Sequence, residues 1–235
     1  MMSRRWQMFN AGYWILTLLL TAAAVAMLAI YTPEEATMGP IQKIFYLHLP
    51  AAICTFLACL VCFVASIGYL TQRRNWWDDL AAASGRVAVQ LCSIVLITGM
   101  IWGRSAWGQW WTWSPRLTFS LILWLLYVVY LMIRTSIESP QRRAVISAVY
   151  ATIAFLDVPL VYLSTRLMVD IHPTSITLAM PMKLTLAVWF VPIVLLSAGL
   201  IMARFRLYQR QRALAPPARI EPGHNGFQWA AGEVA

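Results

Sequence analysis

Residues 101–118 read IWGRSAWGQWWTWSPRLT. They separate two long apolar runs, at about residues 82–102 and 117–133, and resemble neither. Trp102, Trp107, Trp110, Trp111 and Trp113 crowd into a dozen positions, interrupted by Gly103 and Gly108 and closed by Ser114, Pro115 and Arg116. Glycine permits close backbone approach, proline stops a helix at or before Ser114, and each indole offers a flat apolar face with one N–H. Such a surface suits a large, flat, apolar ligand. A simple aromatic belt at a membrane surface accounts for two or three of these residues. It does not account for five of them together with the glycines and the proline.

The composition outside the stretch fixes the class. Hydrophobic residues make up 60% of the 235, charged residues only 11%, and the mean hydropathy is +0.66, where a soluble domain would carry about 25% charge. The chain therefore reads as an all-α integral membrane protein, one compact bundle without a large soluble domain. The net charge of +9 does not indicate nucleic acid, because the basic residues lie in short clusters between apolar runs and form no single patch. Cys54, Cys59, Cys62 and Cys92 all fall inside apolar runs. With no second cysteine pair or helical histidine to complete a metal site, the Cys59–Cys62 spacing reads as small buried residues. No C-x-x-C-H is present for covalent haem attachment.

Six apolar runs are close to the roughly 20 residues needed to span a bilayer. They lie at about 11–30, 44–70, 82–102, 117–133, 144–163 and 182–202. The first runs through Ala22–Ala26 without interruption and is expected to remain as an uncleaved helix. Residues 1–203 are expected to form one membrane domain, and 204–235, rich in arginine and then proline and glycine, a disordered tail. Counting Arg86, at the start of span three, with its loop, all 18 basic residues except Lys43, Arg104, Arg116, Arg166 and Lys183 fall at the N-terminus, in the second and fourth loops or in the tail. The positive-inside rule then predicts both termini in the cytoplasm and the tryptophan stretch on the outer face, with the first and last outer loops.

Two of the three histidines share that face. His48, in KIFYLHLPAA, lies about one turn inside the outer end of span two, and His172, in VDIHPTS, lies in the loop before span six, whereas His224 is in the tail. Alone, each reads as a hydrogen-bonded or solvated residue. Together with the indoles they form a convergent set, since two imidazoles can hold haem iron from opposite sides while aromatic faces cover the porphyrin. Asp157 is an acid inside span five beside Pro159. It reads as an interhelical hydrogen-bonding group in preference to a proton-handling one. Arg104, Arg116 and Arg166 lie near the outer surface and suit either the carboxylates of a ligand or lipid phosphates.

The pattern WG-x3-WG-x-WW-x-W-x2-RLT, from Trp102 to Thr118, resembles the tryptophan-rich WWD signature of the haem-handling proteins of cytochrome c biogenesis, and most closely the CcmC family. The resemblance extends to YLHLPAA at Tyr46 to Ala52, to the histidine of the last outer loop and to six spans with both termini inside. It implies a haem-transfer protein of the bacterial cytoplasmic (inner) membrane. Haem b would be a transported ligand, held by His48 and His172 as axial ligands with Trp102, Trp107, Trp110, Trp111, Trp113 and Arg116 around it. It also implies delivery to a membrane-anchored periplasmic haem chaperone, assisted by ABC-type transporter subunits and a small membrane subunit, with no bond-changing catalysis by the chain itself. One departure stands out: the family usually has Asp where this chain has Ser114, followed by Pro115. Three other readings remain. An electron-transfer subunit with resident b-type haem usually needs paired histidines within the membrane, a membrane enzyme acting on a lipid or isoprenoid headgroup would want clustered acids where the outer loops offer only Glu34, Glu35 and Asp170, and the larger haem-ligation proteins sharing the motif usually carry more spans.

Overall fold

A computed structural model describes residues 4–173 and 177–214; His224 and the rest of the tail from 215 lie outside the described residues. The described residues form seven α-helices, α1 (Arg4–Ile30), α2 (Phe45–Gln72), α3 (Asn75–Trp107), α4 (Pro115–Ser136), α5 (Pro140–Ala154), α6 (Asp157–Leu167) and α7 (Met180–Leu214), with a short 3-10 helix, Pro40–Ile44, leading into α2. Among them are six segments long and apolar enough to cross a membrane, α5 and α6 together making the fifth. The expected all-α, six-span architecture is therefore the one observed.

The division of the fifth span has a local cause. Pro159 has no N–H to donate to Phe155, so the helical ladder is interrupted where Asp157 starts a new helix. Asp157 is buried, but its Oδ2 has no hydrogen-bond partner among the described residues, so the expected interhelical bond through that atom is not found.

α2 and α3 form the most extensive helix pair, with α4 and α7 against α3 and α5 against α2; α1 packs on α7. Small residues bring the central pair together. Cys59, Cys62, Ala58 and Ala65 of α2 and Ala81 and Ala88 of α3 are buried in one cluster with Tyr127 and Tyr130 of α4. All four cysteines are buried and unpaired, as their apolar settings predict. At Gly85 of α3 an added Cβ would come within 2.5 Å of the Tyr130 ring, so the glycine sets how closely α4 approaches.

Two helices run past their expected ends. α3 has 33 residues, about 50 Å at about 1.5 Å per residue, well beyond the roughly 30 Å of bilayer hydrocarbon. Its last turns carry Trp102 and Trp107, so only the part from Gly108 to Ser114 is loop. α7 continues through the expected boundary at 204 to Leu214. Residues 204–214 are thus helical instead of disordered, and Arg212 pairs with Asp79 at 2.6 Å and with Asp78 at 3.3 Å. Asp78 also holds Arg134 of α4 at 2.6 Å, so these ion pairs fasten α3, α4 and α7 at the end of the bundle remote from the tryptophans.

Candidate functional site

His48 occupies the fourth position of α2, with its ring against α3. Its Nδ1 lies 2.9 Å from the hydroxyl of Thr98. That hydroxyl donates to the Ile94 carbonyl at 2.7 Å, which leaves it a lone pair to accept the Nδ1 hydrogen. The bond fixes the tautomer and leaves the Nε2 lone pair of His48 for a metal. One residue further, Gly99 provides the room: a Cβ there would meet Cε1 of His48 at 3.3 Å.

His172 reaches the same place from the loop after α6. Its Nδ1 lies 3.1 Å from the Pro173 carbonyl, and in the tautomer that donates Nδ1–H to that carbonyl the ring presents Nε2 as its lone pair. The guanidinium of Arg116 is 3.3 Å from the same nitrogen. Burial first and the Arg116 charge second push the His172 pKa below its usual 6.5 and keep the ring neutral, the form that binds a metal. Asp170 sets the loop. Its Oδ2 accepts the backbone N–H of Arg116 at 2.7 Å and its Oδ1 the N–H of His172 at 2.8 Å.

Both histidines line one cavity of about 390 Å3, within the range of small-molecule and cofactor sites. Its walls are largely apolar: Phe45, Leu49 and Phe56 from α2, Leu96 and Met100 from α3, Leu117 from α4, and Val161 and Tyr162 from α6. Trp102, Trp107, Trp111 and Arg116 complete it. Trp102 meets Trp107 edge to face, with centroids 5.4 Å apart, and tilts at 50° towards His172 at 6.5 Å. The indole nitrogens of Trp102 and Trp111 are buried without partners among the described residues.

The structure thus brings together His48, His172, Trp102, Trp107, Trp111 and Arg116. It does not bring in the remaining two indoles. Trp110 and Trp113 are 56% and 75% exposed and do not line the cavity, although Trp113 touches Trp111 edge to face. Of the three outer arginines only Arg116 is at the site. Arg104 donates to the Gly108 carbonyl beyond the end of α3, and Arg166 lies over the Tyr162 ring. Thr98, Gly99 and Asp170 were not expected at the site. The first two fall four and three residues before Trp102, on the same helical face, which is the signal that points to them.

The donor set matches what haem requires. Two neutral imidazoles with free Nε2 atoms can ligate iron, aromatic and aliphatic walls suit a porphyrin, and a guanidinium and two unpartnered indole N–H groups can meet carboxylates. No cluster of three or more His, Cys, Asp or Glu side chains able to hold a bare metal ion occurs among the described residues.

The chain matches the CcmC family model, described as heme exporter protein C, over residues 2–216. It is 33% identical to the heme exporter protein C of Paracoccus denitrificans over 196 residues, covering 78% of this chain and 80% of that protein. It is 31% identical to that of Bradyrhizobium diazoefficiens over 164 residues, 67% of this chain and 62% of the relative. With heme exporter protein C of Escherichia coli K12 it shares 28% identity over 145 residues, 62% of this chain and 59% of the other.

Proposed function

Because the chain belongs to the CcmC family, heme exporter protein C, and so handles haem in cytochrome c maturation, we propose that it holds haem b at the end of the bundle carrying the tryptophans and passes it to a periplasmic haem chaperone. The observation that carries this reading is the pair of imidazoles, His48 from α2 and His172 from the last loop, facing one apolar cavity with their Nδ1 atoms already engaged. Their Nε2 atoms are the axial ligands. Arg116 meets a propionate, and Trp102, Trp107 and Trp111 cover the macrocycle.

Such a site favours transfer over permanent retention. One ligand sits on a packed helix and the other on a loop held by two hydrogen bonds that the Asp170 carboxylate accepts, so His172 can leave the iron first and open a position to an incoming ligand of the chaperone. Trp110 and Trp113, exposed beside the cavity, are the surface on which the chaperone docks. The basic clusters at the opposite end support a cytoplasmic location for it, which turns the cavity to the periplasmic side of the inner membrane. ABC-type transporter subunits and a small membrane subunit are the partners proposed for release.

The test is transfer itself. Haem-loaded protein in nanodiscs, mixed with a purified haem chaperone and followed by absorption and by separation of the two proteins, should lose haem to it. The reading fails if haem stays with the membrane protein at every chaperone concentration.

A further inference from the structure

A second cavity, of about 350 Å3, opens at the other end of the bundle, where α3, α4, α5 and α7 converge. Arg86, Arg134, Arg143 and Arg212 line it, with Tyr208 and Thr135 beside them. Arg134 and Arg212 are committed to Asp78 and Asp79 by the ion pairs that fasten the helices. Arg86 and Arg143 are not. Neither makes an ion pair among the described residues, and the Nε of each is buried without a hydrogen-bond partner. The four guanidiniums that line the cavity, against Asp78 and Asp79, leave it with two positive charges in excess.

Arg86 makes the excess unusual. It lies eleven residues into α3, roughly 16 Å from the start of the helix at about 1.5 Å per residue. It is also about one turn inside the span expected at 82–102, where a guanidinium is costly unless it meets a counter-charge or water. Asp78 and Asp79 are already paired with Arg134 and Arg212. Helix packing alone does not require the two surplus arginines, because the Asp78 and Asp79 pairs already join α3 to α4 and α7.

We infer that this cavity binds a phosphate ligand carrying two negative charges, recognised by Arg86 and Arg143, as presented by the head group of an anionic phospholipid or by a soluble phosphate compound. Guanidinium forks match phosphate oxygens in pairs of N–H···O bonds. Basic pockets between membrane helices at a charged bilayer face are suited to such head groups. Tyr208 adds a neutral hydroxyl donor to the lining. A bound phosphate would bridge α5 to α3, a join the ion pairs do not make, and so brace the bundle end opposite the haem cavity.

The experiment uses the full chain, purified in neutral detergent. Native mass spectrometry measures retention of cardiolipin, with zwitterionic phosphatidylcholine as the reference lipid, and equilibrium dialysis measures binding of inorganic phosphate. Cardiolipin should be retained by the parent, lost at least tenfold in the Arg86→Gln/Arg143→Gln double variant, and largely regained with lysine at both positions. The Asp78 and Asp79 ion pairs are untouched in these variants, and the single Arg143→Gln variant gives the same test if the double variant fails to fold. Inorganic phosphate bound in the same arginine-dependent way without cardiolipin would keep the site and assign it to a soluble ligand. Equal retention in parent and folded variant, or binding of neither probe, overturns the inference.

Discussion

Asp170 accepts the backbone amide of Arg116 at 2.7 Å, so the first turn of α4 is closed by a carboxylate from another loop and not by its own N-cap, Ser114. The Ser114 hydroxyl is buried and has no partner among the described residues. The acid that caps this turn comes from two residues before His172. The same carboxylate accepts the His172 amide at 2.8 Å, which couples the cap to the placement of the proposed haem ligand. Asp170→Ala should therefore destabilise α4 by about 1 kcal/mol, the usual worth of a cap, and weaken haem retention about tenfold. Adding Ser114→Asp should restore the melting temperature but not haem retention, as measured by thermal denaturation and haem titration. Recovery of both would show that Asp170 does not act through His172.

Thr98 and Gly99 place His48 by different means, and their variants should separate. Thr98→Val removes the acceptor for the Nδ1 hydrogen and should lower haem affinity by about 10–100-fold, whereas Thr98→Ser should stay near the parent. Gly99→Leu drives a side chain into the His48 ring, already 3.3 Å from where a Cβ would stand, and should abolish low-spin haem. A Thr98→Val protein that binds as the parent does would remove the hydroxyl from the account.

The tryptophans should divide in the same manner. Trp111 lines the cavity and Trp110 does not, so Trp111→Ala should weaken haem binding by roughly 1 kcal/mol or more while Trp110→Ala leaves it unchanged. Trp110→Ala together with Trp113→Ala should instead slow transfer to the chaperone. Haem titration and transfer kinetics on the same preparations check both, and loss of haem binding in Trp110→Ala would contradict the division.

Protonation of His172 provides a fourth check. Burial and then the Arg116 charge hold its pKa below 6.5, so in the haem-free protein the ring should remain neutral at pH 6.5 and gain its proton only at lower pH. Arg116→Gln removes the charge and should move the midpoint upwards, while Arg116→Lys should not. An NMR titration of the imidazole C–H signals reads this directly. A parent midpoint at or above 6.5, or no rise in Arg116→Gln, would contradict it.

The six spans were legible because apolar length is a property of composition alone. The overruns were not, for one physical reason: helices are held by their own backbone hydrogen bonds, and leaving the hydrocarbon does not end them. Residues 103–107 and 204–214 lose hydropathy without losing helix formers, Arg, Gln, Leu and Ala among them. Arg212 then finds buried acids on α3 that no local pattern discloses. At the site, the histidines and the tryptophan cluster stood out by rarity and density. Thr98, Gly99 and Asp170 did not, because a hydroxyl, a missing side chain and a loop acid become informative only once the imidazoles are beside them.

The central claim is ligation of haem iron by His48 and His172, and the most direct measurement is the low-temperature EPR and absorption spectrum of the haem-loaded protein with its single His48→Ala and His172→Ala variants. The account predicts low-spin, six-coordinate, bis-imidazole iron in the parent, and a high-spin spectrum or loss of haem in each variant. A low-spin spectrum and haem retention unchanged in both variants would contradict it.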